Sequence, residues 1–329
     1  MTSDDFKRRI MWLAIWTLAI LSAWLAATTI HAQSYPQKPV RLILPYLGAT
    51  EFAGRWVAGK LSLSLGQQVV VDPRVGAGGR IGHEALVKSP PDGYTLMLGA
   101  PPVVINPHLY PKPGHDALRD YASIAVLGTI PSILAVHPSV PAKSLRELVQ
   151  LARSAPAKLS YGSGAPGSPS HLAGELFRSL GQFKLLMVPY KGATFALVGA
   201  MSGEVDVVIP AASAAAPYVR DKRMRALAVL NTKPVESMPG VPAAAEAGMP
   251  QLVVVNWFYL AAPAGTPQAI IERLNAETQK VMQTAESKQH FANLGGEVIS
   301  TTPDQALAFV REEFARWGRV IREANIKAE

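Results

Sequence analysis

Short apolar runs alternate along the chain with segments in which apolar residues recur every three or four positions, the pattern of strands joined by crossover helices. Arg41 to Pro45 predicts a buried strand, Phe52 to Leu65 a helix stopped by Gly66, and Gln68 to Val71 the next strand, together one βαβ unit. A helix from Gly82 to Lys88, strands Thr95 to Leu98 and Ile133 to Val136, and a helix from Ser144 to Ser154 follow; Glu147 stands three residues after the Ser144 cap. The theme repeats after Pro156 with strand Leu159 to Tyr161, helix Ser170 to Leu180, strand Leu185 to Val188, helix Thr194 to Ser202, and strands Val205 to Ile209 and Arg225 to Leu230. A third segment carries strand Val253 to Leu260 and helices Pro267 to Ala285 and Pro303 to Glu323. The expectation is an α/β protein of two lobes, each a mostly parallel sheet with flanking helices.

Residues 1–32 do not read as fold. Lys7-Arg8-Arg9 precede Ile10 to Ile30, an uncharged run, and His31-Ala32-Gln33 leads to the polar Ser34-Tyr35-Pro36. That order predicts a secretory signal peptide cut after Ala32 and a periplasmic protein, with retention of the run as an uncleaved anchor as the alternative. Lys7 stands where a twin-arginine signal has Ser or Thr, so the general secretory route is favoured.

Composition narrows the chemistry. With 329 residues, 49% hydrophobic and 17% charged, the chain is long enough for two packed domains and too apolar for a disordered tail. The absence of cysteine removes disulfides, zinc ribbons, iron–sulfur clusters, a thiol nucleophile and a lipidated-cysteine anchor. The net charge of +8 falls to +7 when Lys7, Arg8 and Arg9 leave with Asp4 and Asp5, and it suits an anionic small molecule. Basic residues are dispersed, the densest cluster being Lys222-Arg223-Met224-Arg225, and an export signal argues against a nucleic-acid partner.

In a two-lobed α/β protein the ligand lies at the carboxyl ends of the strands, where free N–H groups at helix starts favour an anion. The loops so placed are Tyr46 to Glu51, Gly99 to Asn106, Gly162 to Ser170, Pro189 to Gly192 and Pro210 to Ser213. Gly162-Ser-Gly164-Ala-Pro-Gly167 imitates a dinucleotide fingerprint, but Pro189-Tyr190-Lys191 stand where the ribose-binding acid would be. What survives is an anion cradle of small residues with Ser163 and Ser168 as hydroxyl donors. Gly54 to Lys60 imitates a P-loop inside an amphipathic helix and ends in Leu61. His171 and Glu175, four apart, face one side of a helix, yet no third metal ligand is near, and a local polar pair is the better reading. No Gly-x-Ser-x-Gly elbow supports a hydrolase. Trp257-Phe258-Tyr259 reads equally as core or as cleft wall.

Several ordered motifs carry a resemblance: Tyr35-Pro36 with Lys38-Pro39-Val40-Arg41, Gly76-Ala77-Gly78-Gly79, Pro91-Asp92-Gly93-Tyr94, Asn106-Pro107 with Leu109-Tyr110, His171 to Phe177, Val188 to Gly192 and Ala262 to Pro267. Over nearly all of the chain after Tyr35 they resemble the Bug (Bordetella uptake gene) family of extracytoplasmic receptors of tripartite tricarboxylate transporters. The resemblance implies a type II-like periplasmic binding protein, monomeric and without cofactor, metal or turnover. It would capture a small organic carboxylate in a cleft between lobes and deliver it to the membrane subunits of the transporter; a receptor reporting to a membrane sensor is the alternative. It also implies two crossings between lobes, with residues 35–137 and 254–329 in lobe one and 138–253 in lobe two. Residues expected at the ligand are Tyr46, Leu47, Gly48, Ala49, Thr50, Gly99 and Ala100 from lobe one. Lobe two is expected to supply Ser163, Gly164, Ser168, His171, Tyr190, Lys191, Gly192, Ala211 and Ser213. Two departures stand out. The first loop, Pro45 to Glu51, is shorter and poorer in glycine than the family's Pro-Phe loop, and Leu47 offers an apolar wall that favours a monocarboxylate or partly apolar acid over a small dicarboxylate. Tyr259 replaces a family glycine, with a phenol expected to narrow the cleft or alter closure.

Overall fold

A computed structural model of the protein describes residues 35–155, 158–164 and 167–327; the expected signal peptide at 1–32 lies outside them. The chain starts with β1 (Val40–Leu44), α1 (Ala49–Leu65), β2 (Val69–Pro73), α2 (Arg80–Val87), β3 (Thr95–Gly99), α3 (Pro102–Leu109) and β4 (Tyr121–Pro131). It crosses at Ser132 into a second sheet through β5 (Ile133–Val136), α4 (Leu145–Ser154), β6 (Ser160–Ser163), α5 (Pro169–Gly181), β7 (Leu186–Pro189), α6 (Ala193–Met201), β8 (Val207–Val208), α7 (Ala212–Arg220) and β9 (Arg225–Val229). It returns as β10 (Val255–Pro263), α8 (Gln268–Met282), α9 (Ala285–Asn293), β11 (Glu297–Val298) and α10 (Pro303–Glu323).

The first sheet has the order β11-β4-β10-β3-β1-β2 and the second β7-β6-β8-β5-β9. β1 pairs in parallel with β2 and β3, as does β6 with β7 and β8. β10 and β5 run antiparallel to both their neighbours. Each is the first strand after a crossing. A chain arriving from the other lobe enters at the cleft end of its new sheet, so its first strand must run away from the cleft, against the strands it pairs with. The sheets are therefore mixed where mostly parallel ones were expected.

Ile133–Val136, assigned to lobe one by a boundary at 137, lies in the second sheet. The first crossing is thus Ser132, and it pairs with the return crossing: Ser132 N–H donates to Val254 O at 3.1 Å and Val254 N–H to Leu230 O at 2.9 Å. Two adjacent extended strands form a natural hinge. The C-terminal helix braces it. Buried Glu313 accepts from the indoles of Trp257 and Trp317, both at 3.1 Å, and from Arg316 Nη1 at 2.8 Å. The other end of Arg316 donates to Val253 O in the return crossing.

Both faces of the first sheet are covered, as alternation along its strands requires. Leu42, Leu44, Leu96 and Leu98 pack with Val57 and Leu61 of α1 and Leu274 of α8. Ile43 and Met97 join Leu86 of α2, Val103 of α3 and Trp317 of α10. Among the described residues no helix is long and apolar enough to cross a membrane.

Candidate functional site

The strands that share the direction of β1 in sheet one, and of β6 in sheet two, end at the loops picked out above. Most of the helices that follow start without a side-chain cap; α5, capped by Ser168, is the exception, and α8 elsewhere is uncapped as well. α1, α6 and α7 start behind Gly48, Gly192 and Ala211 with no side-chain cap. α4, α9 and α10, which do not follow those strand ends, are capped by Ser144, Thr284 and Thr302. Uncapped starts leave backbone N–H groups and the positive end of the helix dipole for another acceptor.

In lobe two these groups converge on Gly164. A Cβ placed there would stand 3.0 Å from Ser168 Oγ, 3.2 Å from Ser170 Oγ and 3.4 Å from the Ala193 backbone nitrogen. Two hydroxyls and one helix-start N–H thus crowd the side of Gly164 on which any other residue would carry its Cβ. The hydroxyls are tethered: Ser170 Oγ accepts from Gly164 N–H at 2.9 Å and lies 3.1 Å from Ser168 Oγ, which caps α5 by accepting from His171 N–H at 3.3 Å. Ser163 is buried, and its carbonyl accepts from Tyr190 N–H at 2.8 Å, which ties the β6 loop to the β7 loop.

Several expected contributions take another form. The Tyr190 phenol turns away from Gly164 and packs on α6, where a Cβ on Gly199 would come within 2.2 Å of its oxygen; that turn can offer a ligand its backbone, exposed Lys191 and half-buried Gly192. His171 Nδ1 accepts from Gly167 N–H at 3.1 Å. Glu175 accepts from Tyr161 at 2.7 Å and from Arg178, so the metal-pair reading of His171 and Glu175 fails, and among the described residues no cluster suits a metal. Ala211 makes a bridge with Ser132 at the hinge, and half-buried Ser213 starts α7 beside it.

Lobe one offers fewer donors than expected at Gly99 and Ala100, because Pro101 and Pro102 begin α3 without N–H groups. Tyr46 points its hydroxyl inward, 2.6 Å from His83 Nε2, while Leu47 is 58% exposed beside the bare start of α1. Thr50 is buried in the first turn. The structure adds Asn106, the last residue of a selected loop but not among the expected contacts, and Gly78, Leu109 and Tyr110, which the loop selection omitted. Asn106 donates from Nδ2 to Gly78 O at 2.8 Å. Across the cleft, a Cβ on Gly167 would sit 3.2 Å from Leu109, 3.4 Å from Asn106 Oδ1 and 3.6 Å from the Tyr110 hydroxyl. Here the lobes touch. The signal available for them was the Gly76 to Gly79 run, another strand-to-helix junction. Tyr259 does not narrow the cleft: it is buried between β3 and β4 with its hydroxyl 2.7 Å from Ser123 Oγ, and Trp257 and Phe258 are core.

Burial lowers the pKa of His83 and His115, stacked at 4.1 Å, and His115 lowers that of His83 further. Both are therefore neutral in the fold but take protons below about pH 6.5 when unfolded. Stability is expected to be full above that pH and to fall by up to about 1.4 kcal/mol per histidine for each unit below it. Thermal melts between about pH 7 and about pH 5 check this; a constant midpoint contradicts it.

A family model described as tripartite tricarboxylate transporter family receptor matches residues 53–326. Protein BugT of Bordetella pertussis is 35% identical over 96% of this chain and 98% of its own. Among solved structures, Rpa4515 of R. palustris with adipate superposes with a TM-score of 0.82 at 32% identity, over 89% of this chain and 99% of that one. MatC of Rhodopseudomonas palustris with bound malate gives 0.78 at 27% identity, over 87% and 100%. The two-lobed fold, the uncapped helix starts around the cleft and these matches agree, and the chain belongs to the family of tripartite tricarboxylate transporter receptors.

Proposed function

We propose that the protein captures a small organic carboxylate between its lobes and delivers it, without turnover and as a monomer, to the membrane subunits of a tripartite tricarboxylate transporter. The observation that carries the reading is the gathering of Ser168 Oγ, Ser170 Oγ and Ala193 N–H beside Gly164, hydroxyl and helix-start N–H groups of the kind that bind a carboxylate. Lobe one comprises residues 35–131 and 255–327, lobe two residues 132–254, and the loops starting at Tyr46, Gly99, Ser163, Tyr190 and Ala211 line the cleft. Native mass spectrometry of freshly purified protein tests the reading. An organic acid released on denaturation is the expected result; a released nucleotide or metal ion contradicts it.

Exposed Leu47 at the bare start of α1 supports an acid with an apolar body, such as the adipate held by the Rpa4515 relative. Burying one side chain of that size contributes about 1.5 to 3 kcal/mol, so adipate or benzoate is expected to bind roughly ten- to a hundredfold more tightly than malate or succinate. Calorimetric titration of the four acids decides it, and equal or tighter binding of malate counts against Leu47.

The signal peptide is removed in the periplasm. Intact mass of the exported protein is expected to correspond to a chain beginning near Gln33, whereas retention of residues 10–30 marks an anchor.

A further inference from the structure

One side chain joins the lobe-one cleft loop to the interior. Tyr46 lays its ring over Gly79, whose φ of 93° and lack of a side chain admit it, since a Cβ there would come within 2.3 Å of the ring. The backbone of Pro45 also lies close to Gly82, at 3.0 Å from a Cβ on that glycine. α2 thus packs its first turns directly beneath the cleft loop. From that helix His83, fully buried, reaches the Tyr46 hydroxyl with Nε2 at 2.6 Å and the Tyr121 hydroxyl with Nδ1 at 2.7 Å. Tyr121 opens β4, the strand that leads to the crossing at Ser132. Behind the imidazole, His115 stacks at 4.1 Å, anchored on Val103 O at 2.8 Å. The ring of His83 has no freedom to turn.

The loop itself has little else to hold it. Leu47, Gly48 and Ala49 have no polar side chain, and Gly48 gives α1 no side-chain cap. We propose that His83 is a positioning residue for ligand capture: it grips the Tyr46 hydroxyl, and through Tyr46 holds the backbone of residues 46–50 in the geometry that meets the ligand. The proposal rests on the carboxylate-receptor reading above. A loop short of glycines cannot mould itself around an anion, so its donors must be placed beforehand, and a rigid phenol–imidazole–phenol chain does this without exposing a charge.

Three variants separate positioning from plain stability. Tyr46→Phe keeps the ring on Gly79 and removes only the hydroxyl. His83→Asn puts an amide near the place of Nδ1, retaining Tyr121 and releasing Tyr46. His83→Gln reaches the place of Nε2, retaining Tyr46 and releasing Tyr121. Hydrogen exchange at the amides of residues 47–52 is expected to quicken roughly tenfold in Tyr46→Phe and His83→Asn, the upper end for loss of one hydrogen bond, and to stay near wild type in His83→Gln. Affinity for adipate is expected to follow the same order, even though the two His83 variants lose comparable thermal stability. Equal exchange in the Asn and Gln variants, or wild-type exchange in Tyr46→Phe, overturns the proposal. If wild-type protein binds no acid, the receptor reading fails instead, and the exchange comparison still decides the role of His83.

Discussion

Alanine at Gly164 is expected to weaken carboxylate binding roughly a hundredfold, about 2.8 kcal/mol, while the protein melts close to wild type. The added methyl would stand 3.0 Å from Ser168 Oγ, 3.2 Å from Ser170 Oγ and 3.4 Å from Ala193 N, displacing the groups that would reach a carboxylate oxygen seated beyond it. Gly164 is not among the residues with positive φ, so alanine is not strained there. Its nearest neighbours are serine hydroxyls, which must shift by a few tenths of an ångström to admit the methyl. Ser168→Ala provides a contrast, because it removes one donor and the cap of α5 together. Its affinity is expected to drop by less than about tenfold, with a stability loss of about 1 kcal/mol. Titration and thermal melts of both variants distinguish the cases. Undiminished affinity in Gly164→Ala would show that the anion is held elsewhere.

Glu313→Ala should produce the largest loss of stability. The carboxylate is buried, takes both indole N–H groups of Trp257 and Trp317, and balances Arg316, whose far end holds Val253 O at the return crossing. Removing it leaves a poorly compensated cation and two buried donors without an acceptor, a class of change that costs about 3 to 5 kcal/mol. The melting temperature is expected to fall by roughly 10 °C. Glu313→Gln, which still accepts from the indoles, recovers part of the loss. A midpoint within about 2 °C of wild type in the alanine variant would mean that the brace does not hold the hinge.

The βαβ start of the chain was legible because β1, α1 and β2 each keep one period throughout. β4 was not. Its residues include Ser123, Gly128 and Thr129 among apolar ones, and the strand is buried on both faces, so no alternation marks it. α3 begins Pro-Val-Val and contains Pro107, and α7 contains Pro217, so both looked like loops. β5 was legible as a strand but not as a member of the second sheet, since pairing with β8 and β9 depends on residues some seventy or more positions later.

The site divides in the same way. Small residues before helix starts pointed to Gly164, Ser168 and Gly192 from local sequence alone. Which donors are already engaged was hidden, because Gly164 N–H is taken by Ser170 and Gly167 N–H by the ring of His171. Tyr46 was read as a ligand contact, and only the arrival of His83 from α2 shows its hydroxyl to be committed inward. Asn106 and Tyr110 reach Gly78 and Gly167 from a helix that prolines had disguised.

The most direct measurement is calorimetric titration of ligand-free protein with adipate and, in parallel, with its uncharged diamide. Capture by uncapped helix starts and serine hydroxyls requires the negative charge, so adipate should bind once per chain with a dissociation constant of about 10 μM or lower and the diamide should give no heat. Equal binding of the diamide, or heat from neither, would contradict a carboxylate held above Gly164.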